Sequence, residues 1–259
     1  MKAAEQGDVS DTVVRRHPSG RPTIGLLAGM GVRSTGPFLE FVIDECKRQL
    51  GAYHAIDYPP MVIFSWPTPY YFDREFDEAE LEETIGVGLE WLASTGVDFI
   101  AMPCNSAHVY YDRLVSRVNV PLVDMIEVTA ASIRPESGTV ALLGTRSTRD
   151  SGLYQKALRA KGLEVLDRED TQVRLDQVLT SVQQASDLSE PRSHFRTLLS
   201  DLKEEGVQTA LLACTDLNYL VEGDPALPLI DAGRALAVEV VSRWGAAAGI
   251  TAVADDSTS

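Results

Sequence analysis

Val97-Asp98-Phe99-Ile100-Ala101-Met102-Pro103-Cys104-Asn105-Ser106-Ala107-His108 and Val207-Gln208-Thr209-Ala210-Leu211-Leu212-Ala213-Cys214-Thr215-Asp216 are two versions of one pattern. In each, a short apolar run leads to a thiol, followed by small hydrogen-bonding residues where a helix is expected to begin. Apolar runs of this length, bounded this way, read as strands buried on both faces, as in parallel sheets covered by helices. A thiol at a strand-to-helix junction lies near free amide N–H groups and the positive helix end, a setting expected to lower its pKa. One such cysteine reads as a nucleophile or a base. Two in equivalent settings read as bases on opposite faces of one carbon.

Outward from these runs, strand and helix signals alternate. Thr23 to Leu27 reads as a strand, followed by a turn at Gly29-Met30-Gly31 and a helix from Thr35 to Leu50. Pro60 to Ser65 is a second apolar run, ended by Pro67-Thr68-Pro69, and Glu78 to Ser94 has helical spacing. The order then repeats. Thr23-Ile24-Gly25-Leu26-Leu27 matches Thr139-Val140-Ala141-Leu142-Leu143, and Pro121-Leu122-Val123-Asp124 matches Pro228-Leu229-Ile230-Asp231. With the two cysteines this makes three matches in the same order, which indicates duplicated half-domains. The expected architecture is α/β: two pseudo-symmetric lobes of mostly parallel sheets flanked by helices. Residues 23–125, completed by 228–250, form the first lobe and 126–227 the second. In open α/β sheets ligands bind beyond the carboxyl ends of the strands. Facing lobes would then set Cys104 and Cys214 on opposite walls of an inter-lobe cleft.

Composition bounds the rest. The 259 residues carry 23 basic and 38 acidic side chains, a net charge of -15 that argues against nucleic acid and anionic membranes as partners. No apolar run approaches the ~20 residues of a membrane span. Residues 1–22 read as a disordered leader without a signal-peptide core, and 251–259 as a disordered tail. Three cysteines cannot form an even disulfide framework, so reduced thiols and a cytoplasmic setting are expected. Two distant cysteines and four scattered histidines make no metal-ligand set. Gly29-Met30-Gly31 lacks the third glycine of a dinucleotide fingerprint.

The Gly29-Met30-Gly31 turn, the Cys104 to His108 block, Pro121 to Asp124, Leu143-Gly144-Thr145-Arg146-Ser147-Thr148 with Tyr154, and Cys214-Thr215-Asp216 together resemble the cofactor-independent aspartate/glutamate racemase superfamily. The Ser65-Trp66-Pro67-Thr68-Pro69-Tyr70 run, continuing to Asp73-Arg74, is similar to its broad-specificity amino-acid racemase branch. The resemblance implies racemisation at Cα without pyridoxal phosphate, an amino-acid substrate and a homodimer. The chain departs from it in Ala28 for glycine, Ser106 for threonine and Asp216 for glutamate. Gln183-Gln184 stands near where relatives with acidic substrates place a lysine, which sets aspartate or glutamate specificity in doubt.

A Cα proton beside a carboxylate is very weakly acidic, so its removal needs a close base and stabilisation of the developing charge. Cys104 and Cys214 are the catalytic candidates. Cys46, on the apolar stripe of its helix with Leu39, Val42, Ile43 and Leu50, reads as core. Asn105, Ser106, Thr145 and Thr215 are candidates for the substrate carboxylate, with helix capping as the alternative reading. Asp216 is a candidate for the substrate ammonium, Met30 for the cleft floor and Arg74 for a distal carboxylate. His108 either polarises a thiol or packs structurally. Trp66 shapes the substrate's approach or simply packs. Two other functions stay open: cis-trans isomerisation of a small dicarboxylate such as maleate, and amino-acid binding without turnover.

Overall fold

A computed structural model describes residues 17–71 and 74–253. Most of the expected leader, the end of the expected tail, and Phe72 and Asp73 lie outside the described residues. The first lobe runs β1 (Ile24–Ala28), α1 (Thr35–Leu50), β2 (Met61–Ser65), α2 (Glu78–Ser94) and β3 (Phe99–Ala101). A short helix α3 (Tyr111–Leu114) follows, and then α4 (Met125–Ser132) leads away. The second lobe runs β4 (Val140–Gly144), α5 (Arg146–Asp150), α6 (Leu153–Ala160), β5 (Val165–Leu166), α7 (Glu169–Gln184), α8 (Ser189–Glu204), β6 (Thr209–Ala213) and β7 (Leu229–Asp231). Helix α9 (Ala232–Ala247) follows.

Both sheets are parallel, in the orders β2-β1-β3 and β5-β4-β6-β7. Leu122 adds a parallel bridge to Ile100 beside β3, as Leu229 pairs with Ala210 beside β6. The repeat read from the sequence is therefore repeated pairing: Ile100 takes the Pro121 carbonyl at 2.8 Å and Ala210 takes the Pro228 carbonyl at 2.9 Å. The next residue but two does the same work in both lobes. Asp124 accepts the amides of Ile126 and Glu127 to cap α4, and Asp231 those of Gly233 and Arg234 to cap α9.

Strand periodicity divides the core. Ile24, Leu26, Phe99 and Ala101 of the first sheet, with Val140, Leu142, Leu211 and Ala213 of the second, face one shared core. It includes Phe38, Val42 and Cys46 of α1, Tyr154 of α6 and Trp244 of α9. The alternate residues face outward, where α2 covers the first sheet and α7 and α8 cover the second. Helices α4 and α9 cross between lobes: α4 packs on α6, α9 on α1, and the two touch each other. The sequence places 228–250 with the first lobe. Helix α9 does pack there, but β7 hydrogen-bonds to β6 and closes the edge of the second sheet. The reason is the repeat itself, because β7 stands to β6 as Leu122 stands to β3.

Candidate active site

Both sheets end at a cavity of about 370 Å³ lined from each lobe. Cys104 lies three residues beyond β3 and Cys214 directly beyond β6, and both line it, the first partly open and the second buried. Neither thiol is followed by an α-helix. Ser106–Tyr110 and Thr215–Leu220 are the helices expected after the thiols, in the tighter 3-10 form. The tight turns still present amides to sulfur: those of Ser106 and Ala107 to Cys104, and those of Asp216 and Leu217 to Cys214.

The expected fall in thiol pKa does not occur. Burial raises Cys104 from the usual 9.0 to about 11, outweighing its two amide hydrogen bonds, and the negative charge of Asp216 pushes the same way. Burial and then Asp216 raise Cys214 well above its usual value, and Cys104 adds to the effect. Both thiols are therefore neutral at pH 7 in these surroundings. Burial raises Asp216 itself, opposed by a hydrogen bond from Gln183 Nε2 to Oδ2 at 2.7 Å.

The cavity brings together every other proposed contact except Arg74: Met30, Asn105, Ser106, Thr145, Thr215 and Asp216 all line it. Capping accounts for Thr145, whose Oγ1 accepts the Thr148 amide at 3.3 Å. It does not account for Asn105, whose side chain caps nothing. Its Oδ1 instead accepts the Tyr154 hydroxyl at 2.6 Å, and its buried Nδ2 has no protein partner. Across the cavity, Oδ1 of Asp216 is buried and unpartnered too. One orphaned donor and one orphaned anionic acceptor in a shared cavity are costly without a ligand that answers both. Ser106 Oγ reaches Thr145 Oγ1 at 2.8 Å, tying the lobes together through hydroxyls that Tyr70 joins via Ser147 at 3.3 Å.

Arg74 is exposed, lies outside the lining and stacks over the Tyr71 ring at 5.0 Å. His108 touches neither thiol. Its Nδ1 meets the Cys104 carbonyl at 2.8 Å and its Nε2 the Val123 carbonyl at 3.3 Å, so it braces the loop backbone. Trp66 donates to the Thr84 carbonyl and packs near Phe64, outside the lining. Sequence reasoning missed Leu81 and Ile85 of α2, and Thr180 of α7, which complete the walls.

Fold and site define a two-lobed α/β protein with one thiol from each lobe in an inter-lobe cavity. The chain belongs to the Asp/Glu/hydantoin racemase family, whose model matches residues 27–240. The racemases of that family are isomerases. Over 222 residues the chain is 38% identical to the broad specificity amino-acid racemase RacX of Bacillus subtilis (strain 168), covering 85% of this chain and 97% of that protein. It is 30% identical over 155 residues to a glutamate racemase of Desulforudis audaxviator, across 58% of this chain and 55% of the other. Among solved structures, the Picrophilus torridus aspartate racemase superposes with a TM-score of 0.75 at 24% identity, covering 86% of this chain and 94% of that one. The glutamate racemase isoform RacE1 of Bacillus anthracis gives 0.63 at 20% identity, covering 90% and 84%. At these identities the two structures speak for the fold.

Proposed function

We propose that this chain racemises free amino acids without pyridoxal phosphate, Cys104 and Cys214 acting as acid and base on opposite faces of Cα. The observation that carries this is the pair of thiols, one per lobe, in a cavity that also holds an unpartnered amide N–H at Asn105 and an unpartnered carboxylate oxygen at Asp216. A zwitterion supplies the missing partners, its carboxylate to Asn105 and its ammonium to Asp216. The hydroxyls of Ser106, Thr145 and Thr215 add donors to the carboxylate, where charge builds as the proton leaves.

Neutral thiols fit this role. Asp216 raises both thiols, and an ammonium seated against it offsets that repulsion, so substrate favours ionisation of one thiol. The thiolate then takes the Cα proton and becomes a thiol. The opposite thiol delivers its own proton to the other face and becomes the thiolate. Protons balance, and the enzyme finishes with the two roles exchanged.

Proton NMR in D2O against a panel of D- and L-amino acids tests the proposal. Loss of the Cα signal with growth of the opposite enantiomer is expected. Turnover of maleate alone would favour the isomerase reading, and tight binding without exchange the binding-protein reading. A cytoplasmic homodimer belongs to the same proposal, consistent with three free thiols and tested for assembly by light scattering on the purified chain.

A further inference from the structure

Beyond the groups assigned to the zwitterion, the cavity lining has a chemistry of its own. One wall is apolar, built from Met30, Val32, Pro67, Tyr71 and, one helical turn apart on α2, Leu81 and Ile85. The remaining polar side chains of the lining, Thr68, Tyr70, Thr180, Gln183 and Gln184, are uncharged. Asp216 is the one ionisable carboxylate in the lining, and among the described residues no lysine, arginine or histidine lines the cavity. Arg33 acts on Asp216 through its charge, while its Nη2 donates to the Ala185 carbonyl at 3.3 Å. Arg33 and Arg74 are both exposed, so water screens their charge.

We infer that the substrate's side chain is non-acidic: resting on the proposed racemase reading, the site selects amino acids without a second carboxylate and discriminates against aspartate and glutamate. The selection holds whichever way the side chain leaves Cα. Among the described residues, every lining group left after the zwitterion is bound is neutral, so a second carboxylate finds no charged partner in the lining. It would join Asp216, the substrate's own α-carboxylate and, during turnover, a thiolate, with a single ammonium to offset them. Burying an unpaired carboxylate in such surroundings is strongly unfavourable. An uncharged side chain of the same shape meets no such cost, and the carboxamides of Gln183 and Gln184 can answer a polar one.

Isosteric pairs isolate the charge from the shape. Cα–H exchange in D2O should be measured for the full chain with glutamine against glutamate and asparagine against aspartate. The neutral member of each pair is expected to react at least tenfold faster in kcat/KM. Equal rates, or a faster acidic member, would overturn the inference while leaving the racemase reading intact. Silence with every amino acid would remove the racemase reading, and this inference with it. Gln184→Arg, at an exposed position on the rim, should narrow the glutamine-to-glutamate ratio at least threefold. A ratio that does not move would contradict the electrostatic basis.

Discussion

Asp216 acts on three things at once. It is buried, receives Gln183 at one oxygen, and raises both thiols with its charge. In Asp216→Asn the charge that opposes thiolate formation is gone, so the alkaline limb of kcat/KM should move to lower pH. The ammonium loses its partner at the same time, and KM should rise about 10- to 100-fold, the worth of a charge-assisted hydrogen bond. A pH–rate profile of the variant reads both. The sequence showed which residues meet here, because the cysteine blocks carry most of the polar lining on their own few residues. It did not show the sign of the thiol shifts. Strand-end placement argues for a lower pKa, but the depth of burial that reverses it is set by the opposite lobe. Likewise the sequence could not separate capping from ligand binding at Asn105, since that depends on Tyr154 arriving from α6.

At the scale of elements, the turn after β1 decides where Met30 and Gly31 stand. Gly29 has φ +94, and a Cβ there would lie 2.6 Å from the Trp66 backbone nitrogen. That nitrogen donates to the Ala28 carbonyl at 2.8 Å, so neither side can yield easily. Gly29→Ala should cost about 1–3 kcal/mol in urea unfolding, the usual scale of such backbone strain, and lower activity by displacing the cavity floor. Helices α1 and α2 end where the sequence places them, helped by Gly51 at φ +65 after the first and the Asp77 cap before the second. The sequence marks a helix start after each cysteine but not the type of helix, because 3-10 and α turns begin with the same residues. The lining from α2 was not legible: Leu81 and Ile85 have the spacing of any core-facing pair, and only the packed fold turns them toward the cavity.

For the whole molecule, the exchange of α4 and α9 between lobes means that the lobes share one core in addition to the layer each buries under its own outer helices. Trp244 is fully buried in the shared core, and its Nε1 donates to the Pro22 carbonyl before β1, 222 residues away. Thermal unfolding followed by Trp fluorescence and by far-UV circular dichroism should therefore give coincident transitions; two separated steps would show the lobes folding independently. Stability should also fall at alkaline pH. Cys46 and Cys104 are neutral in the fold until about 11, while in the unfolded chain they ionise from 9.0. Between those values the unfolded state holds fewer protons, so each such thiol costs about 1.4 kcal/mol of stability per pH unit. Stability is unaffected by these groups below 9.0 and declines above it. Cys46→Ala, outside the cavity, should make that decline shallower in urea melts at pH 8 to 11 while retaining turnover. The duplication was legible because offsets in sequence became equivalent hydrogen bonds. The crossing of helices was not, since a helix following a strand carries no mark of which lobe it will cover.

The most direct test of the two-base account is Cα–H exchange in D2O by Cys104→Ser and Cys214→Ser, each given the D- and the L-enantiomer of a turned-over amino acid. The account predicts that racemisation falls at least a thousandfold in both variants. It further predicts that any residual exchange is confined to one enantiomer, the opposite one in each variant. Full racemisation by either variant, or residual exchange from the same enantiomer in both, would contradict the assignment of one thiol to each face.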